Sequence, residues 1–169
     1  MDLNSLRRES SLVPGPVPDN ASRAHPKGQA MKHMAYKVID RLFVVVFGTA
    51  EPSDDEWTTY LAVVERHGID RTMQLIVTDG GVPSYGQRKY LNERLAGRSV
   101  PVAVVSGSRR IVTVVTAMSW FNREIKAFPP SGFREAIAYL QIPASRTELI
   151  EREIERLKLE LDNDRRATA

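Results

Sequence analysis

From about residue 36 onward, short apolar runs alternate with helical periodicities. Residues 36–39 and 42–48 are two β-rich runs separated by Asp40-Arg41, which predicts a hairpin although Asp-Arg is not a favoured two-residue turn. Leu42-Phe43-Val44-Val45-Val46-Phe47 has no polar alternation, the pattern of a strand covered on both faces. A helix follows. Ser53 and Glu56 have capping-box spacing, Asp54, Asp55 and Glu56 put negative charge in the first turn, and Trp57, Tyr60, Leu61 and Val64 recur at i, i+3, i+4, i+7. Gly68 ends it. A second buried strand is expected at 73–78 and a loop at 79–83. Ser84 opens the next helix, with Gln87 at the capping-box position, Leu91 and Leu95 inward and Gly97 as the stop. A third strand at 100–105 is broken by Ser106-Gly107-Ser108.

Residues 110–122 admit two readings. The β-branched run from Ile111 to Thr116 suits a strand, but Ile111, Val114, Val115, Met118 and Phe121 share one helical face, and helix is the better fit. Val112 and Trp120 then lie off that face as a candidate exposed apolar contact. A short buried run at 125–128 precedes a helix from Ser131, with Phe133, Ala136, Ile137 and Leu140 inward and Pro143 beyond its end. Ser145 and Glu148 repeat the capping-box spacing and open a charged helix to about residue 162, with fraying beyond. Its Ile150, Ile154, Leu157 and Leu161 form a seam. Packing on the chain's own domain is the preferred reading, because about two heptads are short for a coiled coil; a dimer contact is the rival.

Three segments result. Residues 1–34 hold four of the ten prolines and read as a disordered arm, 35–143 as one α/β domain, and 144–169 as the charged helix with a frayed tail. The domain is expected to carry a four- or five-stranded, mostly parallel sheet with an opening hairpin, packed by about four helices. A length of 169 residues suits that single core. The net charge of +3 is too small to argue for nucleic acid. The absence of Cys excludes disulfide frameworks, thiolate metal sites and cysteine nucleophiles. No run approaches the roughly 20 apolar residues of a membrane span, so a cytoplasmic location is the default.

In open α/β sheets, sites gather at the C-terminal ends of parallel strands. Two loops fall there. Asp79-Gly80-Gly81 fits neither the dinucleotide nor the P-loop glycine spacing, and a plain turn is the simpler reading. Ser106, Ser108 and Arg109, followed by Arg110, lie between a strand and a helix N-terminus, where an anion could be held. Of the histidines, His25 and His33 fall in the arm and His67 at a helix C-terminus, with no paired metal spacing and no nucleophile elbow. No catalytic residue, metal or cofactor is assigned.

The chain from about 34 to 142 resembles the STAS superfamily, best known for bacterial anti-sigma-factor antagonists. The resemblance is carried by Leu75-Ile76-Val77-Thr78-Asp79-Gly80-Gly81-Val82-Pro83 with Gln87-Arg88, by Val102-Ala103-Val104-Val105-Ser106, by the 111–122 segment, and by Ile125-Lys126-Ala127-Phe128 with Ala136-Ile137-Ala138-Tyr139-Leu140. It implies a STAS-like fold, a helix at 110–122, and action by docking on a protein partner, kinase-like or another regulator. It also implies a phosphoacceptor serine within Asp-Ser-Ser-Gly at the start of the second helix. Here the stretch is Pro83-Ser84-Tyr85-Gly86, so Ser84 and Gly86 match while Pro83 and Tyr85 stand for the Asp and the second Ser. The leading expectation is a non-enzymatic regulatory or scaffolding module that binds its partner through the 79–86 loop, Tyr85 included, and adjacent helix faces. Self-association through the last helix is a further expectation. The alternative is a binder of lipid, nucleotide or anion at 79–81 and 106–110. Nucleic-acid binding ranks low, because Glu93 interrupts the basic group of Arg88, Lys89, Arg94 and Arg98.

Overall fold

A computed structural model of the chain describes residues 31–168. Most of the proline-rich arm, with His25, and Ala169 lie outside the described residues. Strand β1 (Met34–Ile39) turns through Asp40-Arg41 into β2 (Leu42–Phe47), and the two pair antiparallel. Asp40 takes the left-handed conformation, φ 56°, which Asp tolerates better than most side chains. Helix α1 (Asp54–His67) leads to β3 (Met73–Thr78), α2 (Tyr85–Leu95) to β4 (Val102–Val105), and α3 (Arg109–Met118) to β5 (Ile125–Phe128). Helices α4 (Phe133–Tyr139) and α5 (Thr147–Thr168) complete the order. The sheet runs β1-β2-β3-β4-β5, parallel from β2 onward. This is the five-stranded α/β layer with an opening hairpin that the sequence predicts.

The period of two in each strand sorts the core into two layers. Leu42, Val44, Val46, Leu75, Ala103 and Val105 face α4 and α5. Phe43, Val45 and Phe47 face α1, and Val102 and Val104 face α3. Every residue of β2 is buried, which explains its unbroken apolar run. Both predicted capping boxes at Ser53–Glu56 and Ser84–Gln87 form.

Three expectations are corrected. β4 starts at Val102 rather than Val100, because the N–H and C=O of Val100 are both bonded to the side-chain amide of Asn122. α3 ends at Met118, so Phe121 leaves the helical face and stands in solvent. The third capping box gives way to a 3₁₀ turn at Ala144–Arg146, and α5 runs unbroken to Thr168 instead of ending near 162. Ile150, Ile154, Leu157 and Leu161 of the last seam are buried against the chain's own sheet.

Lys32 and His33, read as arm residues, are already tied down. Lys32 pairs with Glu160 of α5 at 2.9 Å, and the His33 N–H donates to Glu56 at 2.7 Å. Glu56 also accepts from the backbone N–H groups of Ser53 and Met34. Burial pushes its carboxyl pKa up, but these backbone donors outweigh that and hold it below the ordinary value.

Candidate functional site

The strand order never reverses, so the sheet has no point where adjacent loops diverge to open a crevice, the usual site of open α/β sheets. The loops at the C-terminal edge are instead closed on themselves. The Gly81 N–H donates to Gly48 O at 2.8 Å, and a Cβ on Gly81 would meet Ala50 O at 2.3 Å. Gly81 is therefore a close-approach glycine between two loops. Thr78 Oγ1 donates to Gly81 O and accepts from the Gly80 N–H. Ser106 Oγ donates to Thr78 O and accepts from the Ser108 N–H. These groups hold the turns, and few backbone donors are left to cradle a phosphate.

The two loops do meet at one groove of about 410 Å³, where Asp79 and Ser106 face α5. Glu151, Glu155 and Lys158 supply its other charges, so with Asp79 the groove is acidic on balance. That disfavours the anion or nucleotide expected at 79–81 and 106–110. Ser108 and Arg109 lie away from it at the start of α3. Ser108 caps α3 without a side-chain hydrogen bond, and Arg109 is exposed.

Ser84 holds α2. Its Oγ accepts from the Gln87 N–H at 3.2 Å, while Gln87 Oε1 accepts from the Ser84 N–H at 3.0 Å. Gln87 Nε2 then donates to Pro52 O and to Asp54, fastening α2 to the start of α1. The phosphoacceptor candidate thus already serves as an N-cap.

Beyond Ser84 the surface changes. Between α2 and α3 runs a groove of about 610 Å³, lined by Tyr85, Arg88, Lys89, Val114, Met118 and Phe121 among others. Tyr85 is 77% exposed, Trp120 84% and Phe121 63%. Val112, on α3, is exposed as well. The sequence marked Tyr85, Val112 and Trp120 but missed Phe121, whose exposure follows from the early end of α3. Arg109 and Arg110 open α3, which contains no acidic residue. No group of three or more His, Asp or Glu side chains placed to hold a metal occurs among the described residues.

No protein-family model and no curated protein matches the chain. Among solved structures it is similar to an uncharacterised protein of the DUF3478 family with a SpoIIAA-like fold, from Shewanella loihica PV-4. The match has 16% identity and a TM-score of 0.46, and it covers 63% of this chain and 91% of that one. No helix among the described residues is long and apolar enough to cross a membrane.

Proposed function

We propose that the protein is a non-enzymatic regulatory or scaffolding module that docks a protein partner on the face formed by the 79–86 loop, α2 and α3. The observation that carries this reading is the exposed trio of Tyr85, Trp120 and Phe121 beside an apolar groove with a basic rim. Aromatic and arginine side chains are the groups that concentrate binding energy at protein interfaces. They also stand where nothing in the chain's own fold uses them. Arg88 and Lys89 outweigh Glu93 around the groove, and Arg109 and Arg110 open α3, so the partner segment is acidic, with apolar anchors for the groove. Ser84 lies at the same edge, and a phosphate there would add up to about two negative charges beside the groove and weaken such a partner.

The test places a photo-crosslinking side chain at Phe121 and, separately, at exposed Leu159 on α5, in the cells that produce the protein. One discrete adduct is expected from position 121 and none from 159. The adduct should disappear when Arg88→Glu and Arg110→Glu are combined, with thermal stability unchanged. Equal labelling from both positions, or an adduct indifferent to the charge reversals, would remove the reading. Binding of anionic vesicles in place of a protein adduct would assign the face to a membrane surface and also overturn it.

A further inference from the structure

A cavity of about 60 Å³ lies inside the domain, between the sheet and α1, α2 and α3. Ile76, Val102, Val104, Leu95, Ile111 and Val115 supply much of its apolar wall. None of the residues lining it is charged, which excludes phosphates, carboxylates and amines as occupants.

Of its polar groups, Thr78 and Asn122 are hydrogen-bonded to the backbone, and others are not partnered. Trp57 Nε1 and Tyr60 Oη, on side chains that line the cavity, are fully buried and have no hydrogen-bond partner among the described residues. Gln74 lines it too. This residue sits on the central strand β3, between Phe43 of β2 and Val102 of β4, and is only 6% exposed. Its side-chain amide makes no hydrogen bond among the described residues, although its backbone N–H reaches Pro101 O. A buried amide with no partner costs stability, and fully buried polar groups are nearly always satisfied. Two fully buried unpartnered groups, with the Gln74 amide beside them, form a pattern that needs a partner.

The cover of the cavity is α2, the helix least committed to the core. Among its 11 residues only Gln87 and Leu95 are buried. It is followed by Ala96 and Gly97, both at positive φ (48° and 78°), so a turn of unusual backbone ends the segment that would have to move. A space of this size holds a few waters as it stands, and a ring-sized guest requires a small outward shift of α2.

We infer that this cavity is a binding site for a small, neutral, mostly apolar molecule with one hydroxyl or carbonyl group, held by Gln74 with Trp57 and Tyr60 and covered by α2. The site adjoins the docking groove between α2 and α3, with which it shares Asn92, Val114 and Met118, but it faces the sheet and does not depend on a partner. Tyr60 is a donor here, because burial raises its phenol pKa and keeps it protonated.

The chain has two tryptophans, so in Trp120→Phe the emission reports Trp57 alone. That variant of the full chain is titrated with cyclohexanol and, separately, with cyclohexane. Saturable changes in Trp57 emission are expected with both. Gln74→Leu should shift the ratio of their affinities about tenfold toward the hydrocarbon, the worth of one buried hydrogen bond. Val104→Phe, which fills the cavity, should abolish the response; Leu91→Phe serves the same purpose from the cover if Val104→Phe fails to fold. The inference fails if neither probe gives a saturable change, if the response survives filling, or if the affinity ratio ignores Gln74. Magnetic-resonance contacts from these side chains to water that neither probe displaces would show a hydrated cavity only, and would also overturn it.

Discussion

On one face of the sheet, α5 lays Ile150, Ile154, Leu157 and Leu161 across Leu42, Val44 and Val46, and all of these side chains are buried. On the other face, α2 buries two residues and covers a cavity lined by Trp57 and Tyr60, whose buried polar atoms have no partner among the described residues. The same strands supply both faces, since alternate residues of β2, β3 and β4 point each way. Sheet propensity therefore cannot account for the difference. The difference lies in the helices. α5 offers a long apolar stripe, whereas the polar sequence from Gln87 to Asn92 leaves α2 with little to bury. A fold can thus hold its stability through α5 and α1 and leave α2 free for binding.

The largest expected effect would break or confirm this contrast directly. Ile150→Ala should cost about 2–5 kcal/mol in denaturant unfolding, the range for a fully buried large-to-small change. Leu91→Ala on α2 should cost less than half as much, because Leu91 is only partly buried. Equal losses would mean that the two faces are packed alike.

Next in size is Glu56, which pins the chain before β1 to the start of α1. Glu56→Gln should cost about 1.5–3 kcal/mol, the worth of hydrogen bonds to a charged group. The pH dependence has a definite sign. The folded pKa lies below the unfolded one, so the stabilisation is complete above the ordinary value of 4.5 and is lost as pH falls through the lower folded value. Denaturant midpoints measured from pH about 6 down to about 3 should fall in the wild type and fall less steeply in Glu56→Gln.

The smallest effect sharpens the account of α2. Ser84→Ala removes an N-cap and should cost about 1 kcal/mol, whereas Ser84→Asp keeps a capping oxygen and should leave stability nearly unchanged. With folding preserved, a loss of partner binding in Ser84→Asp reads the docking face alone. Hydrogen exchange provides a parallel check: α2 amides should exchange before those of α5.

Most of the fold was legible because its signals are local. The buried strands are short β-branched runs, two helices carry capping boxes, and the 3.6-residue period of Ile111, Val114, Val115 and Met118 favoured a helix for α3 against a strong β propensity, which the family resemblance then settled. The failures occur where distant residues decide. Val100 left its strand because Asn122, 22 positions away, took both of its backbone groups. Phe121 was assigned inward on a periodicity that the end of α3 cut short. Gly80, Gly81, Ser106 and Ser108 looked like an anion cradle because they follow strand ends, but the hydrogen bonds here hold the turns themselves. The cavity is assembled from the sheet and the three helices on one side, so no single stretch of sequence announces it. Its one local trace is Gln74, a polar residue in the strand Met-Gln-Leu-Ile-Val-Thr on the face where Ile76 is apolar.

α5 also sets a timetable. A ribosome delivers the hairpin well before α5, so the surface of Leu42, Val44 and Val46 emerges long before the 22-residue helix that covers it exists. Until then the growing chain displays a β surface of bare aliphatic side chains, the kind that chaperones hold and proteases reach. A nascent chain interrupted before residue 147 would present that surface permanently, and the cell would read it as waste.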